Sequence, residues 1–246
     1  MARIYLSPSL QEGNPYVTGE NEEYVMNLIA DAMEPYLVSS GIGFTRNTPD
    51  MTLSQVIAQS NAGDYDLHLA LHSNAAGTAN AGKVRGTDVY YYQTSVPGQR
   101  AADIIAANFR HVSPTPDRVK TVGTTTLAEL RRTRAPAVLI EIAYHDNRAD
   151  ADWILNNITP IAVNLVQSLA EYFGIPFIEA TVPQQERIRL DREGGVNLRY
   201  KPSYDAPVVT VIPNGAVVTV NGEWNDWYVL EYNGYIGYVD SAFVVP

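Results

Sequence analysis

The sequence contains no cysteine. That excludes disulfides and any cysteine-ligated metal, but it does not fix the compartment. There is no run of Lys or Arg, and the net charge is −10. A nucleic-acid binder would carry a basic face, so the class is set aside, and bulk attraction to an anionic surface is excluded with it. No stretch reaches the roughly 20 apolar residues of a membrane span. The opening MARIYLSPS has no apolar segment of signal-peptide length. Either an export signal has been removed or the protein leaves its cell by another route, such as release when the cell lyses. What is present is an ordinary globular balance, 46% hydrophobic and 18% charged over 246 residues. Such a chain can bury one large core or two medium ones without staples.

The first two thirds alternate between strand and helix patterns. Arg3 to Leu6 reads as a strand, followed by a polar loop, SPSLQEGNPYVTGEN. Val25, Leu28, Ile29, Ala32, Met33 and Tyr36 recur at three- and four-residue spacing, which predicts a helix over 22–39. A second helix is expected from near Met51 to Ala62, capped by Thr52 or Ser54. YDLHLALHSNA and TDVYYYQ read as strands, Gly98 to Phe109 as a helix, and TTLAELRRT as a short helix. APAVLIEIAY is almost wholly apolar and so belongs in the middle of a sheet covered on both faces. One or two helices close the segment between Ala149 and Phe173. The expectation is an α/β three-layer sandwich on a mixed or parallel sheet over residues 1–175. Residues 176–187, with prolines and no period, read as a linker. From 188 to 246 the pattern is all β, about five short strands with Asn214-Gly215, Asn221-Gly222 and Asn233-Gly234 as hairpin signals. A small barrel is expected there.

Glu141 interrupts the apolar run VLIEIAY. A buried carboxylate is costly unless a cation, a metal or a hydrogen-bond network stands beside it, and such groups gather at functional sites. A structural ion pair is the plainer alternative. His72 ends its strand just before SNA, where ligand sites of α/β sheets collect. His68 faces the same way, but four residues of strand separate the two by about 13 Å. Both cannot hold one metal, so His68 reads as structural. Glu20, Glu22 and Glu23 cluster at a helix start, where the helix dipole favours acidic residues whether or not they have another role.

Taken together, these residues resemble the zinc-dependent N-acetylmuramoyl-L-alanine amidases over about residues 1–173. LHSNA with His72 matches that family's strand-end histidine motif. EYVMNL matches its early helix, whose ligand glutamate then falls on Glu23. PAVLIEIAYHDN matches its late strand, with Glu141 as the catalytic glutamate. The pattern departs at the first ligand, a histidine in the family's loop after strand one. Leu10 falls at that position here, and leucine cannot bind zinc. Glu12 is the best chemical substitute, with Gln11 and Asn14 as neutral oxygen donors and His145 as a further candidate. The C-terminal stretch resembles bacterial Src-homology-3-like domains, which commonly bind peptidoglycan. Trp224, Trp227, Tyr228, Tyr235 and Tyr238 could form its recognition surface, although about half of them would fill the small core.

The resemblance implies a zinc ion (Zn2+), a peptidoglycan substrate, and action outside the cell or in the cell wall, by a lysin or an autolysin. Zinc held by Glu23, His72 and a third ligand would activate water, with Glu141 as general base and then acid. The bond cleaved would join muramic acid to L-alanine. Two alternatives stay open: a catalytically degenerate wall-binding protein, and a metallo-amidase with another metal or another amide.

Overall fold

The computed structural model describes Met1–Pro246 in full. The chain divides into two compact units: Ile4–Met33 with Phe44–Tyr172, and Met1–Arg3 with Glu34–Gly43 and Phe173–Pro246.

A six-stranded mixed sheet is built from β1 (Ala2–Pro8), β2 (Ile42–Arg46), β3 (Leu67–Asn74), β4 (Thr87–Tyr92), β5 (Val119–Thr124) and β6 (Ala137–Tyr144). Their order is β2-β1-β3-β6-β4-β5. The pairs β1–β3, β3–β6 and β4–β5 are parallel, and β4 runs antiparallel to β6. Helices α1 (Glu22–Ser39), α2 (Leu53–Ala62), α3 (Val96–Phe109), α4 (Ala128–Arg132), α5 (Arg148–Asn156) and α6 (Ile158–Phe173) complete the α/β sandwich. None is long and apolar enough to cross a membrane.

Helix α1 has the bounds its periodicity predicts, because Val25, Met26, Ile29, Met33 and Leu37 form one continuous buried stripe. Helix α2 begins where Thr52 accepts the Gln55 N–H and the Gln55 side chain returns to Thr52, a reciprocal cap. The sheet alternates in character. Leu69, Leu71, Val138, Ile140 and Ile142 are inaccessible. Truncating one such residue, Leu69→Ala for example, costs about 2–5 kcal/mol. The intervening positions bring Ser7, Ala70 and Leu139 into one row, and His72, Glu141 and Asp88 into the next. Leu130 of α4 packs on Ala70, Ala137 and Leu139, flanked by Tyr90, Tyr92 and Leu127. This second face is therefore apolar in the middle and polar at the strand ends.

The C-terminal sheet holds β7 (Gln184–Ile188), β8 (Gly195–Arg199), β9 (Val208–Pro213), β10 (Val217–Trp224), β11 (Trp227–Tyr232), β12 (Tyr235–Asp240) and β13 (Val244–Val245). Their order is β13-β7-β10-β11-β12-β8-β9, and every pairing described is antiparallel. Ile188, Val196, Leu198, Ile212, Val218, Leu230 and Val239 form its core. Two expectations change here. Strand β7 starts inside the stretch read as linker, because β10 and β13 offer it partners that no local pattern reveals. Asn221-Gly222 is not a hairpin turn. It lies within β10 at a register shift, where a Cβ on Gly222 would stand 2.5 Å from the Ser39 carbonyl oxygen. Asn233-Gly234 does turn the chain, with φ of 50° and 77°, as a type I′ hairpin requires.

Candidate active site

Four elements deliver polar side chains to the C-terminal end of β3. His72 comes from the strand itself, Glu141 from the neighbouring β6, Glu22 from the first turn of α1, and Gln11 and Asn14 from the loop after β1. His72 Nδ1 lies 2.8 Å from Glu22 Oε1 and 3.4 Å from Gln11 Nε2. Asn14 Nδ2 donates to Glu22 Oε2 at 2.7 Å and to Gln11 Oε1 at 2.8 Å. The Ser73 N–H also reaches Glu22 Oε1, at 3.4 Å.

The structure thus corrects which glutamate meets His72. Glu22 is 1% exposed and shares the buried stripe of Val25, Met26 and Ile29. Glu23 is one helical step, about 100°, further round and faces Glu12 instead. Partial burial and the neighbouring Glu12 raise the Glu23 carboxyl above the usual range. Glu12, expected as the third ligand, is exposed and stands with Glu23 away from His72. His145 is buried, bonds the Ser73 carbonyl oxygen at 2.9 Å and stacks on Tyr16, so it pins the loop beside the site rather than entering it. Leu10 lines an apolar cavity of about 300 Å³ with Pro8, Leu53, Val56, Leu127 and Leu139, next to His72.

The electrostatics separate the carboxylates. Burial works against ionisation of Glu22, but the His72 hydrogen bond and charge, helped by Asn14 and Ser9, hold its carboxyl below the usual range. Glu141 is driven the other way. Burial is the largest cause, the charges of Glu22 and Asp88 add to it, His72 opposes, and the result is about 7. Its Oε2 is buried without a hydrogen-bond partner. Two acids in one site with opposed shifts are a common basis for dividing roles.

Sequence reasoning missed Glu129. It is 7% exposed on the short helix α4, with its Oε2 2.7 Å from His68 Nε2 and accepting from Ser7 Oγ at 2.7 Å. Its Oε1 is 3.7 Å from His72 Nε2. Burial alone would raise this carboxyl, but His68 and His72 outweigh it and hold it far below the usual range. No spacing in TTLAELRRT marks the residue. The only hint is His68, a buried polar side chain that needs a partner.

No three His, Cys, Asp or Glu side chains converge as a metal ion would demand. The His72 imidazole and the Glu22 carboxylate face each other, but the Gln11 amide turns its nitrogen to His72 Nδ1 while its oxygen accepts from Asn14, so these residues supply two of the three protein ligands a zinc ion takes.

In the C-terminal sheet, Trp224 and Tyr235 are exposed at 42% and 46%. Trp227 is half-buried against Tyr204, their rings 5.1 Å apart, and the Tyr204 hydroxyl bonds Asp240. Tyr228 is partly buried against the core. Tyr238, one of the five aromatics expected to divide between surface and core, is inaccessible and donates to the Ser40 carbonyl oxygen at 2.8 Å.

The family model described as N-acetylmuramoyl-L-alanine amidase matches residues 9–171, and the one described as bacterial SH3 domain matches 194–245. No curated protein matches the chain. Among solved structures, the amidase AmiC2 of Nostoc punctiforme is 18% identical with a TM-score of 0.62, covering 70% of this chain and 97% of that one. The catalytic domain of CwlV from Bacillus (Paenibacillus) polymyxa var. colistinus is 16% identical with a TM-score of 0.62, covering 72% and 100%. The catalytic domain of the CD27L endolysin targeting Clostridia difficile is 22% identical with a TM-score of 0.58, covering 70% and 98%. Identity this low carries the fold and not the individual residues.

Proposed function

Since the chain belongs to the N-acetylmuramoyl-L-alanine amidase family over residues 9–171, we propose that it hydrolyses the amide joining N-acetylmuramic acid to L-alanine in peptidoglycan. The observation that supports this reading best is the Glu22–His72 pair at the end of β3, with the partnerless Glu141 beside it in register. Glu22 and His72 are the residues that would hold a zinc ion; neither the exposed Glu12 expected from sequence nor the Gln11 oxygen, which accepts from Asn14, faces them. When bound, zinc would polarise the scissile carbonyl and acidify a water.

Glu141 supplies the proton transfers. Its carboxylate takes a proton from the attacking water, and the resulting carboxylic acid gives it to the leaving nitrogen of L-alanine. Balance is kept: the C–N bond breaks, a C–O bond forms, and Glu141 ends the cycle ionised. A base poised near 7 suits both halves. Asn14 and the Ser73 N–H hold the Glu22 carboxylate in place against His72. The C-terminal domain would hold the enzyme at the wall through Trp224, Tyr235 and the Trp227 face, and the reaction would then take place outside the cell or in the wall.

The test is muropeptide cleavage read by mass spectrometry on zinc-reconstituted protein, with elemental analysis of the same samples. Release of a stem peptide with a free L-alanine amino group, lost in Glu141→Gln with zinc retained, supports the reading. Zinc-loaded wild type that leaves every muropeptide intact would overturn it. A wild type that binds no metal yet holds to insoluble wall would favour the degenerate wall-binder, a reading to which the neutral Gln11 lends some support.

A further inference from the structure

The C-terminal domain contains a cavity of about 290 Å³ that the proposed chemistry does not use. Glu186, Glu223, Gln184, Tyr228, Val220 and Val244 line it, and no basic side chain does. Strand register explains how two carboxylates come to face it. Glu186 pairs with Val218 of β10, and Ile188, two residues further on, pairs with Val244. Cross-strand partners share a face, and Val218 and Ile188 belong to the core, so Glu186 points to the apolar side of the sheet. Glu223 arrives by another route. The register shift between Val220 and Gly222 adds one residue to β10, which sets Glu223 and not Gly222 opposite Tyr228. Tyr228 lies two residues from the core residue Leu230 and packs against the same core. Arg187, the one cation of β7, takes the other face and donates to the Gly215 carbonyl oxygen.

We propose that this cavity binds a primary ammonium group on an aliphatic stem, the chemistry of a diamino-acid side chain. Glu186 Oε2 is buried with no hydrogen-bond partner, and a desolvated carboxylate is costly until a cation or a donor meets it. Guarding a sheet edge does not account for the inward charge, because β7 is paired on both sides. The walls select the kind of cation. Val220 and Val244 suit methylene groups, and the Tyr228 ring attracts an ammonium. Calcium would ask for about six to eight oxygen ligands, which valine walls do not provide. An apolar cavity of ~150 Å³ takes up benzene, so this one has room for a four-carbon stem and its ammonium. Glu186 precedes the segment 194–245 that matches the bacterial SH3 model and comes from the stretch read as linker. Use of the cavity for attachment to the wall rests on the peptidoglycan reading; binding of the amine does not.

The test is an NMR titration of the full-length protein with Nα-acetyl-L-lysine amide, beside Nα-acetyl-L-norleucine amide, which has the same four-carbon stem and no charge. The lysine derivative should bind at least about tenfold more tightly, and Glu186→Gln, which keeps the size of the side chain, should remove that preference. Equal binding of the two amides, or full affinity for the lysine derivative in a folded Glu186→Gln, overturns the inference. Glu223→Gln alters an exposed residue and should weaken the lysine derivative several-fold. It decides the matter should Glu186→Gln fail to fold, and unchanged affinity there overturns the inference as well. None of these results depends on whether the protein hydrolyses amides. Retention on insoluble peptidoglycan reads the part that rests on the wall. Acetylating the free amines of the wall should lower retention of wild type several-fold and leave that of Glu186→Gln unmoved. Amine binding with retention indifferent to acetylation keeps the cavity's ligand and defeats its use at the wall.

Discussion

Glu141 carries opposite consequences for stability and activity. Its carboxyl is raised by burial to about 7 in the fold, against an ordinary value of 4.5. A group raised on folding contributes stability that is complete below its unfolded value and is lost as pH climbs through its folded value. Glu141→Gln does not titrate, so metal-free variant should gain on metal-free wild type between pH 4.5 and 8, by up to about 3 kcal/mol. The same substitution should abolish hydrolysis. Denaturant unfolding at both pH values checks the first point, and an equal difference at each would remove it. In the active enzyme, kcat/KM should rise with pH through about 7 as Glu141 becomes a base. A profile that falls over that range would mean a different proton acceptor. The neighbouring distinction is between two adjacent glutamates. Glu22→Ala should cost more zinc affinity than the roughly 100-fold limit of an outer residue, whereas Glu23→Ala should leave it within a few-fold. A larger loss for Glu23→Ala would restore the sequence assignment. Glu22 lies on the buried face with Val25, Met26 and Ile29, one helical step from Glu23.

At the scale of elements, the site depends on how β6 hands over to α5. Asn147 caps α5 by accepting the Ala149 and Asp150 N–H groups, and its own amide holds the Gly82 carbonyl oxygen. Asp150, inaccessible in α5, takes the Tyr144 and Gly86 N–H groups and pairs with Arg85 at 2.5 Å. One carboxylate thus joins the strand that carries Glu141 to the loop before β4. Asp150→Ala leaves Arg85 and two amides without that partner and should cost about 3–5 kcal/mol in denaturant unfolding. A loss under about 1 kcal/mol would show that the loop is held by other means. The capping box of α2 predicts a smaller effect, about 1 kcal/mol for Thr52→Ala. The start of α2 was legible as Thr52 before a periodic run. The tie from Asp150 to Arg85 was not, because 65 residues separate its ends.

At the scale of the molecule, the acidic chain and its two units assign different work to different surfaces. With a net charge of −10, attachment to an anionic wall cannot rest on bulk attraction, so it should depend only weakly on salt. Trp224→Ala with Tyr235→Ala should therefore release the protein from insoluble peptidoglycan while leaving cleavage of soluble muropeptides within a few-fold. A pull-down on wall sacculi beside the soluble assay reads both, and full retention of the double variant would assign attachment elsewhere. The sequence by itself determined the α/β order of elements, the bounds of α1 and the all-β C-terminal region, since each rests on local periodicity. Only the tertiary structure decided that Glu22 meets His72, that Gln11 and not Glu12 joins them, that Tyr238 is buried, and that Glu129 stands behind the site. Those are contacts between residues tens of positions apart, and the strand register and helix rotation that create them exist only after the sheet has closed.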